Sequence, residues 1–400
     1  MAGIGAAVAA ARNGAKTLIV EQAEVLGGLG ASGGVGNFSA AVGGHQGQGR
    51  VYHDVLDGLR RYGALGPENG WRVRINEKLQ CENWLFDHQV LPIVLQELCD
   101  KAGIDLLFSS TAVATDMDGQ RIGHARIHNR SLRQDIAATV FIDATGDGLL
   151  AQYAGAKVLP DDPAFPGVIK PSFMIFLRKV DNPAPQVLPE TCLYSEEHVP
   201  NYSVWKEPHG RVGLKLKLFD MEFDTGIGDG YHAATAAMRG RIPEIVRDFQ
   251  DKHDPAYVFD FASPMLGLRE GRRIAGEHVL TIDEIRVPTR FEDAVAYATF
   301  TVDANGTREI LPPYQVPYRS LQPAGIDNCL VAGRCFSADR LTLSSARVMP
   351  SCCMMGQAAG IATALAVRDG LPVRDVDPAA IRDILIADTP DADLMRERLS

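Results

Sequence analysis

The chain has 400 residues, a prior for two to three domains of about 100–200 residues each. Its 46% hydrophobic and 22% charged residues exclude disordered and fibrous classes, and its net charge of −10 argues against nucleic acid or an anionic membrane as a partner. Glycine is in excess, 39 of 400.

The small-residue stretch 2–13 predicts a helix, with Gly14 where a C-cap wants positive φ. Residues 16–20 then form a short buried-type strand ending at Glu21. The run 25–49 carries no Asp, Glu, Lys or Arg, but ten of its 25 residues are Gly, so it is a loop rather than a membrane span. Val51, Val55, Leu56 and Leu59 mark a helix. Val90, Leu91, Val94, Leu95 and Leu98 mark another, capped by Asp87 and ended by Gly103. Strand 104–108 follows, then strand-like runs at 111–117, 121–129 and 136–142. The last runs into Ala144-Thr145-Gly146-Asp147-Gly148. Pro160, Pro163, Pro166 and Pro171 mark a boundary, beyond which 171–318 reads as a separate, more charged module. A buried strand ending in Gly333 and a long helix over 352–368 close the chain.

Seven cysteines (Cys81, Cys99, Cys192, Cys329, Cys335, Cys352 and Cys353) lack C-x-x-C spacing, so neither zinc nor an iron–sulfur cluster is expected. Reduced thiols in a cytoplasmic protein are the expectation. The apolar residues 1–11 lack the basic region of a signal peptide.

Three strand-to-glycine endings carry the chemistry. Gly3 and Gly5 open the first helix and Glu21 ends the strand after it. This is the later part of a dinucleotide fingerprint, in which the third glycine allows close helix–strand packing and the acid holds ribose hydroxyls. The first strand and first two glycines of that fingerprint are missing. Thr145-Gly146 and Gly333-Arg334 supply two further turns. The start of the C-terminal helix, through Ser351 to Gly356 and Gln357, offers free N–H groups suited to an electron-rich ring.

The stretches AGIGAAVAAARNGAKTLIVE, LGGLGASGGVG, FIDATGDGLLAQYAGA, LGLREGRRIAGEHVLT, VPYRSLQP and VAGRCFSADRLTLSSARVMPSCCMMGQAAGIATALAVRDG together resemble the FAD-dependent oxidoreductases of the glutathione-reductase-type flavin fold, distantly related to fumarate reductase flavoproteins. The resemblance runs from residue 2 to about residue 370. It implies an α/β protein whose discontinuous Rossmann-like FAD domain (1–158 and 319–372) carries an inserted α+β substrate domain (159–318), with a C-terminal tail at 373–400. It further implies Glu21 on the adenosine ribose, Gly27 and Gly28 on the flavin side, and Val113 on adenine through its backbone. Thr145, Gly146 and Asp147 would flank the adenosine and pyrophosphate end, and Gly356 and Gln357 the pyrimidine side of the flavin. Arg334 stands where many relatives place an acid that holds the ribityl chain, which puts that contact in doubt.

On the substrate side, Arg269, Arg272 and Arg273 cluster beside Glu270. An arginine fork from Arg269 would hold a substrate carboxylate or deliver a proton, against the alternative of an interdomain salt bridge. Arg347 is a lone charge in an apolar stretch and needs a partner. His45 is an acid/base or flavin-attachment candidate, with a solvated loop histidine as the alternative. Cys352 and Cys353, at a helix start, are either redox-active or core, and Trp84 and Tyr318 are core or cleft wall. The expected function is hydride transfer between a small organic substrate and FAD, with a separate electron acceptor. Two alternatives stand beside it: an N-terminally truncated, cofactor-poor protein without turnover, and a nicotinamide-dependent dehydrogenase.

Overall fold

A computed structural model describes residues 1–41, 43–66, 71–76, 79–130, 132–162, 165–183, 202–217, 228–287 and 289–400. Cys192 lies outside them. The chain opens with α1 (Ala2–Arg12), β1 (Leu18–Val20), β2 (Asn37–Ala41), α2 (Arg50–Arg61), β3 (Trp71–Asn76), β4 (Leu79–Leu85), α3 (Leu91–Ala102) and β5 (Asp105–Leu107). The next strands are β6 (Ser110–Asp118), β7 (Arg121–Asn129), β8 (Leu132–Ile136) and β9 (Phe141–Asp143), followed by α4 (Leu149–Tyr153). The predicted run 136–142 is thus two elements. The polar residues of β8 complete a hairpin sheet with β7, and only the three residues before the Thr145 turn are a buried strand.

Two parallel strand pairs form the Rossmann-like part. β1 pairs with β5, and β9 pairs with β18 (Cys329–Val331). Among the described residues no strand joins the two pairs. Strand β1 is not the buried strand its composition predicts: Leu18 is 41% and Val20 37% exposed, because only the Ile19 face packs against apolar side chains.

The insert contains β10 (Ser172–Lys179), β11 (Tyr202–Lys206), β12 (Val212–Lys217), α5 (Gly228–Gly240), α6 (Ile242–Lys252) and β13 (Tyr257–Ala262). Its antiparallel sheet has the order β11-β12-β10-β13. Successive side chains of a strand point to opposite faces. Phe173, Ile175, Leu177, Val212, Leu214 and Leu216 meet Ile245, Val246 and Phe249 of α6 on one face. Met174, Phe176 and Trp205 on the other face pack against Val35 and Leu85 of the first part of the chain.

The chain ends with α7 (Ile282–Arg286), β14 (Ala294–Ala298), β15 (Val302–Ala304), β16 (Thr307–Glu309), β17 (Tyr314–Pro317), the β18 strand, α8 (Arg340–Ala346), α9 (Met349–Asp369), α10 (Pro378–Asp388) and α11 (Ala392–Leu399). Ile274 to Leu321 and Val373 to Leu399 share one large apolar core with β9, β18 and α9. Helix α9 is long and apolar enough to cross a membrane, but 94% of its apolar window is buried in the fold, as befits a core helix.

Candidate functional site

The carboxyl ends of parallel strands are where nucleotide ligands bind in open α/β sheets. Here three such ends converge. β1 delivers Glu21, β9 delivers Thr145 and Gly146, and β18 delivers Gly333 and Arg334. The start of α1 joins them: a β-carbon on Gly333 would lie 3.0 Å from that of Ala2, and one on Gly3 3.5 Å from that of Ala144. That helix start brings unpaired N–H groups and a positive dipole end to the same edge.

Asp143 organises this edge, a role the sequence reading did not assign. Its Oδ1 accepts from the Thr145 amide (3.0 Å) and hydroxyl (2.7 Å), and its Oδ2 from the Ala151 amide (3.0 Å). Thr145 Oγ1 in turn accepts from the amides of Asp147 and Leu149 at the start of α4. The carboxylate is 1% exposed, so the turn is fixed from beneath. Gly146 has φ +79°, and the Arg334 guanidinium occupies the space where a side chain would go. Arg334 Nε is buried without a hydrogen-bond partner.

Glu21 accepts from the Ala23 amide (2.9 Å), and burial raises its pKa. The β6–β7 ladder skips from Ala112 to Ala114, leaving Val113 outside the pairing at an exposed bulge. An open backbone at Val113, an acid at Glu21, the Thr145-Gly146 turn and the unpartnered Arg334 nitrogen suit the adenosine and phosphates of a dinucleotide.

The structure turns other expected contacts elsewhere. Gly27 faces Leu91 and Leu95 of α3, whereas Gly28 faces open space. Gly356 presses against the Ala2 carbonyl, because α1 and α9 cross there with backbones touching. Gln357 is used within the fold: its Oε1 accepts from the Val51 amide (2.9 Å) and its Nε2 donates to the Gln48 carbonyl (3.0 Å), pinning the end of the glycine-rich loop. Ser351 lies buried in the first turn of α9, whose N-terminus has no side-chain cap.

His45 is not a solvated loop residue. It is 1% exposed, with Nδ1 2.8 Å from Tyr52 Oη, Nε2 3.2 Å from the Glu82 carbonyl oxygen, and its ring stacked 4.2 Å from Trp84. Desolvation lowers its pKa to about 4. Trp84 and Tyr318 are both buried, and Tyr318 donates to the Val373 carbonyl. Cys352 and Cys353 are buried free thiols, and burial pushes Cys353 up to about 12. A thiolate is therefore disfavoured at either position.

The predicted arginine cluster divides. Arg340 meets Glu270 through two contacts from Nε (2.8 and 3.0 Å), and Arg273 lies 3.5 Å from the same carboxylate and donates to the Ala338 and Pro160 carbonyls. Arg269 instead converges with Arg347 on Asp303 of β15. The NH2 nitrogen of Arg269 lies 2.8 Å from the Asp303 carbonyl and 2.5 Å from Oδ2; the corresponding distances for Arg347 are 3.0 and 3.1 Å. Lys215 and Lys217 of β12 add their charges to this hub, and all four cations hold the Asp303 carboxyl well below its usual range. Burial and neighbouring cations lower Lys217 to about 8 and Arg347 to about 9, and lower Lys215 well below the usual ammonium range. The two lysines were missed because alternation in Gly213-Leu214-Lys215-Leu216-Lys217 reads as a solvated face.

Alternating strand pairs, the convergent turns and an inserted sheet closing over a glycine-rich loop define a Rossmann-like flavoprotein fold. The family described as FAD dependent oxidoreductase matches residues 1–385, and the chain belongs to it. It is an enzyme class, and its cofactor is FAD. A search of curated proteins returns no match. Among solved structures, a triple mutant of the flavin-dependent brominase Bmp2 is similar with TM-score 0.50 and 14% identity, covering 99% of this chain and 91% of that one. A geranylgeranyl bacteriochlorophyll reductase-like protein from Thermoplasma acidophilum is similar with TM-score 0.49 and 13% identity, covering 100% and 85%. The p-nitrophenol 4-monooxygenase PnpA from Pseudomonas putida DLL-E4 gives TM-score 0.48 and 9% identity, covering 99% and 85%. At these identities the brominase likeness shows the fold alone.

Proposed function

We propose that this flavoprotein transfers a hydride between a small organic substrate and FAD, with a second, separate partner resetting the cofactor. When bound, FAD supplies the two-electron redox chemistry. Glu21, the Val113 backbone, the Thr145-Gly146 turn and Arg334 would hold its nucleotide end. The observation that carries the proposal is the inward face of the inserted sheet standing over the glycine-rich loop. A β-carbon on Gly34 would lie 2.9 Å from the Phe176 ring, and the Met265 amide donates to the Ser32 carbonyl. The sheet thus packs directly on the loop, and Lys215 and Lys217 on its inward face bring the fixed positive charge of the Asp303 hub there.

A cytoplasmic home suits the six described cysteines, all of them buried free thiols. The test is anaerobic mixing of the FAD-loaded protein with candidate organic substrates. Bleaching of the visible flavin bands, reversed by an added electron acceptor, is the expected result. Purified protein that neither carries nor takes up FAD overturns the proposal.

A further inference from the structure

Taking the proposed hydride-transfer site as its basis, we infer that the substrate carries a carboxylate, and that Lys215 on β12 and the Nε of Arg347 recognise it. The arginines alone do not form an open fork. Each directs the same terminal NH2 nitrogen to Asp303, so their shared carboxylate already fills the space between them. What remains for a ligand is different. Arg347 Nε is buried without a hydrogen-bond partner.

Lys215 stands on the sheet face that looks inward. It pairs across the strands with Met174, which packs with Phe176, Trp205 and Val35 beneath the first part of the chain. Its Nζ lies 4.8 Å from the centroid of the Trp205 ring. An ammonium there has an aromatic face on one side and lies among Lys217, Arg269 and Arg347, with Asp303 as the carboxylate they share. Arg308 adds a further charge, its Nε 3.9 Å from Asp303 Oδ1.

Five cations around one carboxylate, partly removed from water, repel one another. A ligand anion held by Lys215 and Arg347 offsets that repulsion, and an oxyanion supplies the acceptor that the buried Arg347 Nε lacks. Met174 and Trp205, beside Lys215 on the same sheet face, give an apolar flank that suits the carbon skeleton of an organic acid better than the hydration shell of an inorganic ion.

The experiment titrates the FAD-loaded protein with acetate, benzoate and succinate, with the matching amides, and with inorganic phosphate. Binding is read from the flavin difference spectrum and from tryptophan fluorescence, with Trp205→Phe identifying the reporter. Carboxylates are expected to bind about tenfold or more tightly than their amides, since hydrogen bonds to charged groups are worth roughly 1.5–3 kcal/mol. Lys215→Met should abolish that preference, whereas Lys215→Arg keeps most of it. Unchanged FAD content and an unchanged melting temperature identify the variants as folded. Equal binding of acids and amides, binding of phosphate alone, or an undiminished preference in Lys215→Met overturns the inference. The two readings fail separately. Neutral compounds that bleach the flavin, with no preference for acids, leave hydride transfer standing and remove the carboxylate. Acids that bind through Lys215 while no compound bleaches the flavin do the reverse.

Discussion

The α-carbon of Gly5 lies against the carbonyl oxygen of Cys353, with no room between them for a β-carbon. The same closeness recurs one and two turns along, where Gly356 meets the Ala2 carbonyl and Gly360 the Ala6 carbonyl. Three glycines thus let α1 and α9 cross with their backbones touching, and this contact carries the start of α1 to the ends of β9 and β18. Gly5→Ala forces the helices apart and should cost about 1–3 kcal/mol, the range for overpacking a filled core. Gly3→Ala, where the added carbon finds an ordinary 3.5 Å contact with Ala144, should cost much less. Urea denaturation of both variants measures the difference. Equal costs would show that the helices have slack at Gly5.

Asp143 makes a second, sharper prediction. Asp143→Ala leaves the Thr145 and Ala151 amides without their acceptor, and the buried Ala151 orphan costs about 1–3 kcal/mol. The Thr145 hydroxyl is freed at the same time, so the turn that faces the nucleotide loses its shape. FAD affinity should fall at least about tenfold, and stability by roughly 1–3 kcal/mol from the buried Ala151 orphan. Equilibrium dialysis of FAD against the folded variant checks the first effect. Full FAD affinity in Asp143→Ala would mean that the turn is held by something other than this carboxylate.

How far the sequence was legible differs between backbone and side chains. The helices at 2–12, 50–61 and 91–102 stand where apolar periodicity and Gly103 placed them, because one buried face decides a helix. The turns at Thr145 and Gly333 were equally plain, since a glycine after an apolar run marks a backbone that must bend. Side-chain partners were not legible, because they come from distant segments. Arg347 finds Asp303 from 44 residues away, and Val51 finds Gln357 from 306. Lys215 illustrates the general reason. Alternation shows which residues share a face of a strand, but only tertiary packing decides whether that face meets water.

His45 yields a prediction on the acid side. Its pKa falls from 6.5 to about 4 in the folded chain, so between those values the unfolded chain binds the extra proton. Stability therefore rises with pH across that window and is lost as pH falls through it. The loss attributable to this ring is about 3 kcal/mol between pH 6.5 and 4. His45→Phe keeps the stack on Trp84 but should flatten the acid limb, at a neutral-pH cost of roughly 1–3 kcal/mol from the orphaned Tyr52 hydroxyl. Melting temperatures from pH 4 to 7 compare the two proteins. Because both ring nitrogens are engaged, FAD should also leave the denatured chain freely. Flavin that stays with the polypeptide through denaturing gel electrophoresis would contradict the packing of this ring.

On the alkaline side two sets of groups oppose each other. The six described cysteines are all buried with raised pKa values, so each contributes stability that is present below its ordinary value of 9.0 and lost as pH rises above it. Lys217 acts in the other direction. With a folded pKa of about 8 against 10.5, it leaves the unfolded chain holding the extra proton between those values, so it adds stability as pH rises. Lys215 and Arg347, both lowered, have the same sign. Each fully titrating group changes stability by about 1.4 kcal/mol per pH unit, so six thiols outweigh three cations and the net stability falls above about pH 9. Lys217→Met removes one of the compensating groups, so its curve should fall more steeply than that of the wild type from pH 8 to 10. Guanidinium denaturation across that range under reducing conditions tests the sign. Parallel curves for the two proteins would mean that Lys217 keeps its ordinary proton affinity, and that the Asp303 hub is more solvated than its burial implies.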